Sequence, residues 1–235
     1  MIRALLDRFR YPRPDDVRAV HRMTSAQWAG IAKRTPTYLE AYRDRPGSDD
    51  RAQARARWIA GSILGAFPGV RSVHEIGCGA GRNLAELRRI CPDLRLSGED
   101  ICPEAVRAAR ATLGPNAPIF QGDLVDEIPV RADVLLSVGV LVHLHPRLLP
   151  EILSKLWRAA MRGLVLVEEW GENEVVKGPA SWNAHQRTGN YVLWRPALPE
   201  LTADLLPRPS DESTMDDLPS RYQSPGATTI FVVRR

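Results

Sequence analysis

Along residues 72–168, short apolar runs alternate with amphipathic stretches of helical period. The runs fall at 72–76, 94–99, 117–120, 132–138 and 163–168, and the helical stretches at 82–91, 103–113 and 147–161. This alternation predicts an α/β domain with a doubly wound parallel sheet, right-handed crossovers and helices on both faces. The run "RADVLLSVGVLVHL" has too little polar alternation for a half-exposed strand, which places it in the sheet centre. Near the C-terminal end, "LTADLLP" and "ATTIFVVRR" follow one another with no helix between them. Two such strands predict a terminal antiparallel hairpin.

The first third of the chain has a different texture. "RPDDVRAVHRM" (13–23) carries acids in its first turn, and "TSAQWAGIAKR" (24–34) opens with a capping hydroxyl, so helix is expected there in pieces. "TPTYLEAYRDR" (35–45) starts with Thr-Pro and ends near Pro46-Gly47. "DDRAQARARWIAGSILGAF" is led by Asp49 and Asp50 and closes at Pro68-Gly69. The expected organisation is a helical extension over 1–60 ahead of a domain at 61–235. Trp28, Tyr38 and Tyr42 are large side chains for a purely solvated arm, so the extension is either a lid or a surface-packed element. Residues 170–200 form a polar insertion punctuated by Gly and Pro, expected on the substrate side.

Composition changes this picture little. A hydrophobic share of 44% over 235 residues supplies an ordinary core. No apolar stretch approaches the ~20 residues of a membrane span. "MIRALLDRFRYPRP" lacks the apolar core and cleavage site of a signal peptide. Cys78, Cys91 and Cys102 are odd in number and widely spaced, which suits reduced thiols in a cytoplasmic protein and indicates no metal site. Residues 1–60 hold twelve arginines and one lysine against seven acids, a net +6, which leaves −2 for the remainder. Asp15, Asp16, Asp44, Asp49 and Asp50 interrupt the basic residues, so a solvated helical surface accounts for the charge better than a nucleic-acid face.

The chemistry concentrates in "VHEIGCGAGRNLAEL" (73–87). It reads as a buried strand, a tight turn and a helix start. A dinucleotide site has G-x-G-x-x-G beneath a pyrophosphate. Here Gly77, Gly79 and Gly81 are spaced G-x-G-x-G and Glu75 precedes them. A carboxylate at that place repels a pyrophosphate and suits a ligand bearing an ammonium, such as S-adenosylmethionine. A second acid near the end of the next strand should then hold the ribose. Asp100 lies 23 residues after Gly77, close to the ~20 expected one βαβ step on. Glu99 competes for that role, and strand alternation favours Asp100.

"VHEIGCGAGRNL", "LSGEDICPEAV", "FQGDLVD" and "ADVLLSVGVLVHLHP" resemble, in order, the motifs of class I S-adenosylmethionine-dependent methyltransferases. The resemblance covers residues 72 to about 168 and implies a Rossmann-like, seven-stranded sheet. It implies that Glu75, Gly77, Cys78, Gly79, Gly81 and Asn83 cradle the methionine end. Asp100 would hold the ribose, Ile101 would pack on the adenine, Asp123 with Leu124 would meet the adenine amine, and Gly139 would lie by the sulfonium. More narrowly, "SVGVLVHLHPRLLPEILSKL" resembles the "GVLIHINP" region of methyltransferases associated with pseudaminic acid biosynthesis. "QWAGIAKRTPTYLEAY" and "SWNAHQRTGNYVLWR" are similar to two further segments of that branch. "VEEWGENEV" and Pro196 depart from its pattern.

Methyl transfer from a sulfonium is an in-line displacement, so alignment supplies most of the rate. A hydroxyl acceptor also calls for a base, for which His143 after strand four and His185 in the insertion are candidates, with His145 less suited beside Pro146. Trp28, Tyr38, Glu168, Glu169 and Arg195 are candidate substrate contacts. The "NPPY" or "DPPY" of base-methylating enzymes is replaced by "SVGV", and no RNA-binding module accompanies the domain. The expected acceptor is a small polar metabolite. RNA, protein, or ligand binding without turnover are the alternatives.

Overall fold

The protein is described by a computed structural model over residues 13, 15–34, 39, 50–178, 187–188, 192–198, 201, 211–214 and 229–235. Its sheet comprises β1 (Ser72–Ile76), β2 (Arg95–Asp100), β3 (Ile119–Gln121), β4 (Ala132–Val138), β5 (Ala160–Glu168), β9 (Asp211–Thr214) and β10 (Thr229–Arg234). The order is β3-β2-β1-β4-β5-β10-β9. β1 to β5 are parallel, with Val73 paired to Leu96 on one side and Val134 on the other. β10 then runs antiparallel to β5. Chain order therefore reverses at β1, leaving a crevice beyond the carboxyl ends of β1 and β4, where open α/β sheets bind ligands.

Burial follows from the sequence pattern. All five residues of β1 are buried, as the run "SVHEI" requires of a strand covered on both faces. Helices α3 (Asp50–Ala66), α4 (Arg82–Ile90) and α5 (Pro103–Leu113) cover one face. There Ile59, Ile63, Leu84, Leu87, Val106 and Ala109 pack on Val73, Leu96 and Val134. Helix α6 (Leu149–Ala159) covers the other, where Ile152, Leu153 and Leu156 meet Leu135, Leu164 and Phe231. No helix among the described residues is long and apolar enough to cross a membrane.

Several boundaries differ from the sequence reading. The segments at 13–23 and 24–34 do not divide at Thr24. Helix α1 runs Val17–Ala29, capped by Asp16 accepting from the Ala19 amide at 3.0 Å, and Thr24 is buried in its interior. A short α2 (Ile31–Arg34) follows. Helix α3 passes through residue 60, so the division expected there falls within a helix whose Ile59 and Ile63 belong to the core. β5 begins at Ala160 because Ala160 already pairs with Ala132. The strand beside β10 is Asp211–Thr214 rather than 201–207. Leu201 instead donates its amide to Ala197 O, and residues 202–207 lie outside the described residues. The insertion contains β6 (Glu174–Gly178), β7 (Arg187–Thr188) and β8 (Leu193–Arg195), a separate small sheet in the order β7-β6-β8.

Candidate functional site

The turn after β1 is built by positive φ. Gly77, Gly79 and Gly81 sit at +62°, +55° and +81°, angles that side chains other than glycine adopt at a cost. A Cβ at Gly77 would also collide with the Val140 side chain of the loop after β4. The turn is held at both ends. The Cys78 amide donates to Glu99 O at 2.9 Å, and the Gly79 amide donates to Asp100 Oδ2 at 2.9 Å. Asp100 Oδ1 accepts from the Cys102 amide at 2.8 Å, bracing the start of α5 as well. Burial lifts the Asp100 carboxyl above its usual range, and the two amide bonds oppose that rise.

Glu75 is next to last in β1, with 1% of its surface exposed. Its Oε1 accepts from Asn83 Nδ2 at 2.6 Å, and its Oε2 is buried with no partner. Burial dominates its protonation and pushes the pKa up to about 8, against the Asn83 bond and the nearby Arg82. Asp123, after β3, is engaged from two sides. Oδ1 accepts from the Val125 amide at 3.0 Å, while Oδ2 accepts from Ser25 Oγ at 2.8 Å and lies 3.1 Å from His21 Nε2. Burial alone would raise its pKa, but His21, the Val125 amide and Ser25 together hold it below the usual range.

One pocket gathers these groups. Glu75, Gly77, Cys78, Gly79, Asn83, Asp100, Ile101, Asp123, Leu124 and Gly139 all line it, as do Trp28 and His143. Gly81 lies behind the lining as the N-cap of α4. His143 ends a 3-10 turn after β4 (Leu141–His143). Its Nδ1 is 3.2 Å from Val192 O, and a carbonyl only accepts, so Nδ1 carries the proton and Nε2 the lone pair of the neutral ring. The Trp28 ring lies 4.4 Å from the His143 ring, centroid to centroid. His145 is structural: it accepts the Arg147 amide at 3.1 Å and packs on Trp194.

Three expected substrate contacts lie elsewhere. Glu168 is wholly buried and absent from the lining. Its Oε1 accepts from Ser137 Oγ at 2.9 Å and from the amides of Val140 and Leu141 at 3.0 and 3.2 Å. It braces the loop that carries Gly139 and His143. Burial raises its pKa to about 7 against those bonds. Replacing Glu168 by Ala is expected to cost at least ~1–3 kcal/mol through unpaired buried donors, whereas Gln keeps the accepting oxygen and should be nearly neutral. Chemical denaturation of the two variants separates these outcomes. Glu169 and Arg195 face one another at 3.6 Å outside the lining. Tyr38 and His185 lie outside the described residues.

Sequence reasoning missed His21, Ser25 and Arg55, which also line the pocket, as does Glu99, considered above only as a competitor for the ribose. A signal existed for the first two. His21, Thr24, Ser25 and Trp28 are spaced i, i+3, i+4 and i+7, so one face of α1 presents all four.

Residues 73–163 match the family described as "Methyltransferase domain". A 68-residue segment is 37% identical to the ribosomal RNA small subunit methyltransferase C of Enterobacter sp. (strain 638). That segment is 28% of this chain and 20% of the relative, so the chain spans about a fifth of the length of the enzyme it matches. Among solved structures, magnesium protoporphyrin IX methyltransferase from Synechocystis PCC 6803, with S-adenosylmethionine bound, superposes with a TM-score of 0.60. The match has 17% identity and covers 88% of this chain and 95% of that one. An amino pentose methyltransferase from Micromonospora echinaspora gives 0.59 at 16% identity, over 85% and 97%. At these identities the likeness establishes the fold, a mixed α/β Rossmann-like arrangement with an antiparallel edge.

Proposed function

We propose that this chain is an S-adenosylmethionine-dependent methyltransferase that acts on a hydroxyl or amine of a small polar metabolite. Glu75 carries the cofactor reading. A buried carboxylate with one unpartnered oxygen stands beside a glycine turn that has no room for a Cβ at Gly77. A pyrophosphate brings no donor for that oxygen and is repelled once the group ionises, whereas an ammonium displaces the proton and pairs with the carboxylate. When bound, S-adenosylmethionine contributes an electrophilic methyl group on its sulfonium.

The chain's residues bind, orient and accept a proton. Glu75 and Asn83 would hold the methionine end, and Gly77, Cys78 and Gly79 would let the ligand lie against the backbone. Asp100 would take the ribose hydroxyls while bracing the turn, Ile101 would pack on the adenine, and Asp123 with Leu124 would meet its amine. Gly139 would leave space at the reacting end. His143, oriented by Val192, would accept the proton of a hydroxyl acceptor through Nε2. Glu168 would keep that loop in place. The edge strand Asp211–Thr214 completes a seven-stranded reading of the sheet.

A small acceptor is supported by the fold shared with a porphyrin and an amino pentose enzyme along most of the chain. The resemblance of "SVGVLVHLHP" to the pseudaminic acid branch makes sugar-derived metabolites the acceptors to try first. RNA is the second reading, favoured by the segment shared with a ribosomal RNA enzyme. "SVGV" in place of "NPPY" supports the first.

Calorimetry with S-adenosylhomocysteine and with NAD tests the cofactor. Saturable binding of the former and none of the latter is expected, and the reverse would overturn the reading. Helix α1 forms one wall of the pocket, so it is proposed as a lid. Residues 17–34 should gain resistance to proteolysis when S-adenosylhomocysteine is added. Equal cleavage in both states would mean a packed extension that the cofactor does not order.

A further inference from the structure

Three carboxyl groups meet at the end of the pocket formed by β2 and β3: Glu99, Asp100 and Asp123. Two of them already have protein donors. Asp100 accepts the Gly79 and Cys102 amides, and Asp123 accepts Val125 and Ser25 beside His21. Glu99 has none. It is 1% exposed, both carboxyl oxygens are buried without a hydrogen-bond partner, and the residue lines the pocket. A Cβ at Gly122 would stand 3.5 Å from Glu99 Oε2, so the glycine keeps the space beside that oxygen open. An unpaired buried carboxyl lowers stability, and a ligand that pairs with it removes the penalty.

Building on the S-adenosylmethionine reading, we propose that Glu99 is a nucleobase-reading residue whose carboxyl group pairs with the purine's exocyclic amine and adjacent ring nitrogen. The amine has two N–H groups, so Glu99 and Asp123 can take one each. The ring nitrogen is an acceptor, which requires the Glu99 carboxyl to carry a proton. Its surroundings favour that state. Burial first, then the charges of Asp123 and Asp100, push its pKa up to about 7. His21, on α1, is the cation on this side when protonated, and it is directed at Asp123. A neutral carboxyl offers one donor and one acceptor side by side, the pattern with which a Gln amide reads adenine.

The test compares S-adenosylhomocysteine with its 1-deaza analogue, in which a C–H replaces the ring nitrogen beside the amine and the amine is kept. Both are titrated calorimetrically into the full chain and its Glu99→Gln and Glu99→Leu variants. The parent should prefer the adenosyl ligand, and Glu99→Gln should keep the preference because it carries the same donor and acceptor. Glu99→Leu should lose about tenfold of it. The parent's preference should also shrink as pH rises past about 7, while that of Glu99→Gln stays level. An undiminished preference in Glu99→Leu would overturn the proposal, because another donor would then be reading the ring nitrogen. Thermal unfolding without ligand guards against a structural explanation. Glu99→Leu should be at least as stable as the parent, and a marked loss would contradict the proposal. If the parent bound neither ligand, the cofactor reading itself would fall.

Discussion

Replacing His143 by Ala is expected to lower turnover by ~10²–10⁴ while leaving S-adenosylhomocysteine affinity nearly intact. The ring lies at the pocket wall beside Trp28, and the Val192 carbonyl fixes its proton on Nδ1. Nε2 is then the atom that can take a proton from a hydroxyl acceptor. His143→Gln is the control for shape, since it fills similar space without a basic nitrogen. Single-turnover kinetics on both variants, together with calorimetry, give the answer. Full turnover in both would mean that alignment alone drives transfer.

The second large effect concerns Glu75 and pH. Its carboxyl is protonated below about 8 in the unliganded chain. A neutral carboxyl pairs poorly with an ammonium, so binding must displace the proton, and each proton displaced makes affinity depend on pH. In the Glu99→Gln chain, where the nucleobase end has no proton to lose, affinity for S-adenosylhomocysteine should therefore rise between about pH 6 and pH 8 and then level off. Glu75→Gln should abolish that rise and cost roughly 1.5–3 kcal/mol at the upper end, where the parent is charged. Calorimetry across the range measures both. A flat profile in the Glu99→Gln chain would show that Glu75 is not the partner of the ammonium.

The sequence made the elements from β1 through β4 legible because their signals are local. Gly77, Gly79 and Gly81 announce positive φ, and Glu75, Asp100 and Asp123 each stand within two residues of a strand end beside the crevice. Glu168 also ends a strand, and the same logic misplaced it. β5 lies on the far side of β4, so its last carboxylate reaches the amides of Val140 and Leu141 instead of the pocket. Thr24 has the chemistry of a helix cap, yet packing carries α1 straight through it. The bond from Ser25 to Asp123 joins residues 98 apart, and no local pattern specifies such a pairing. Glu99 was visible as an acid, but the engagement of its neighbours by backbone and by α1 emerges only in three dimensions.

The central claim is methyl transfer to a small metabolite, and one measurement addresses it most directly. The chain is incubated with S-adenosylmethionine carrying a labelled methyl group, together with a metabolite extract and total RNA from cells lacking this gene. The fractions are then separated and analysed by mass spectrometry. The account predicts a labelled product in the metabolite fraction, heavier than its precursor by the labelled methyl in place of one hydrogen, and, for a hydroxyl acceptor, formed far more slowly by the His143→Ala variant. Label confined to the RNA fraction would contradict it.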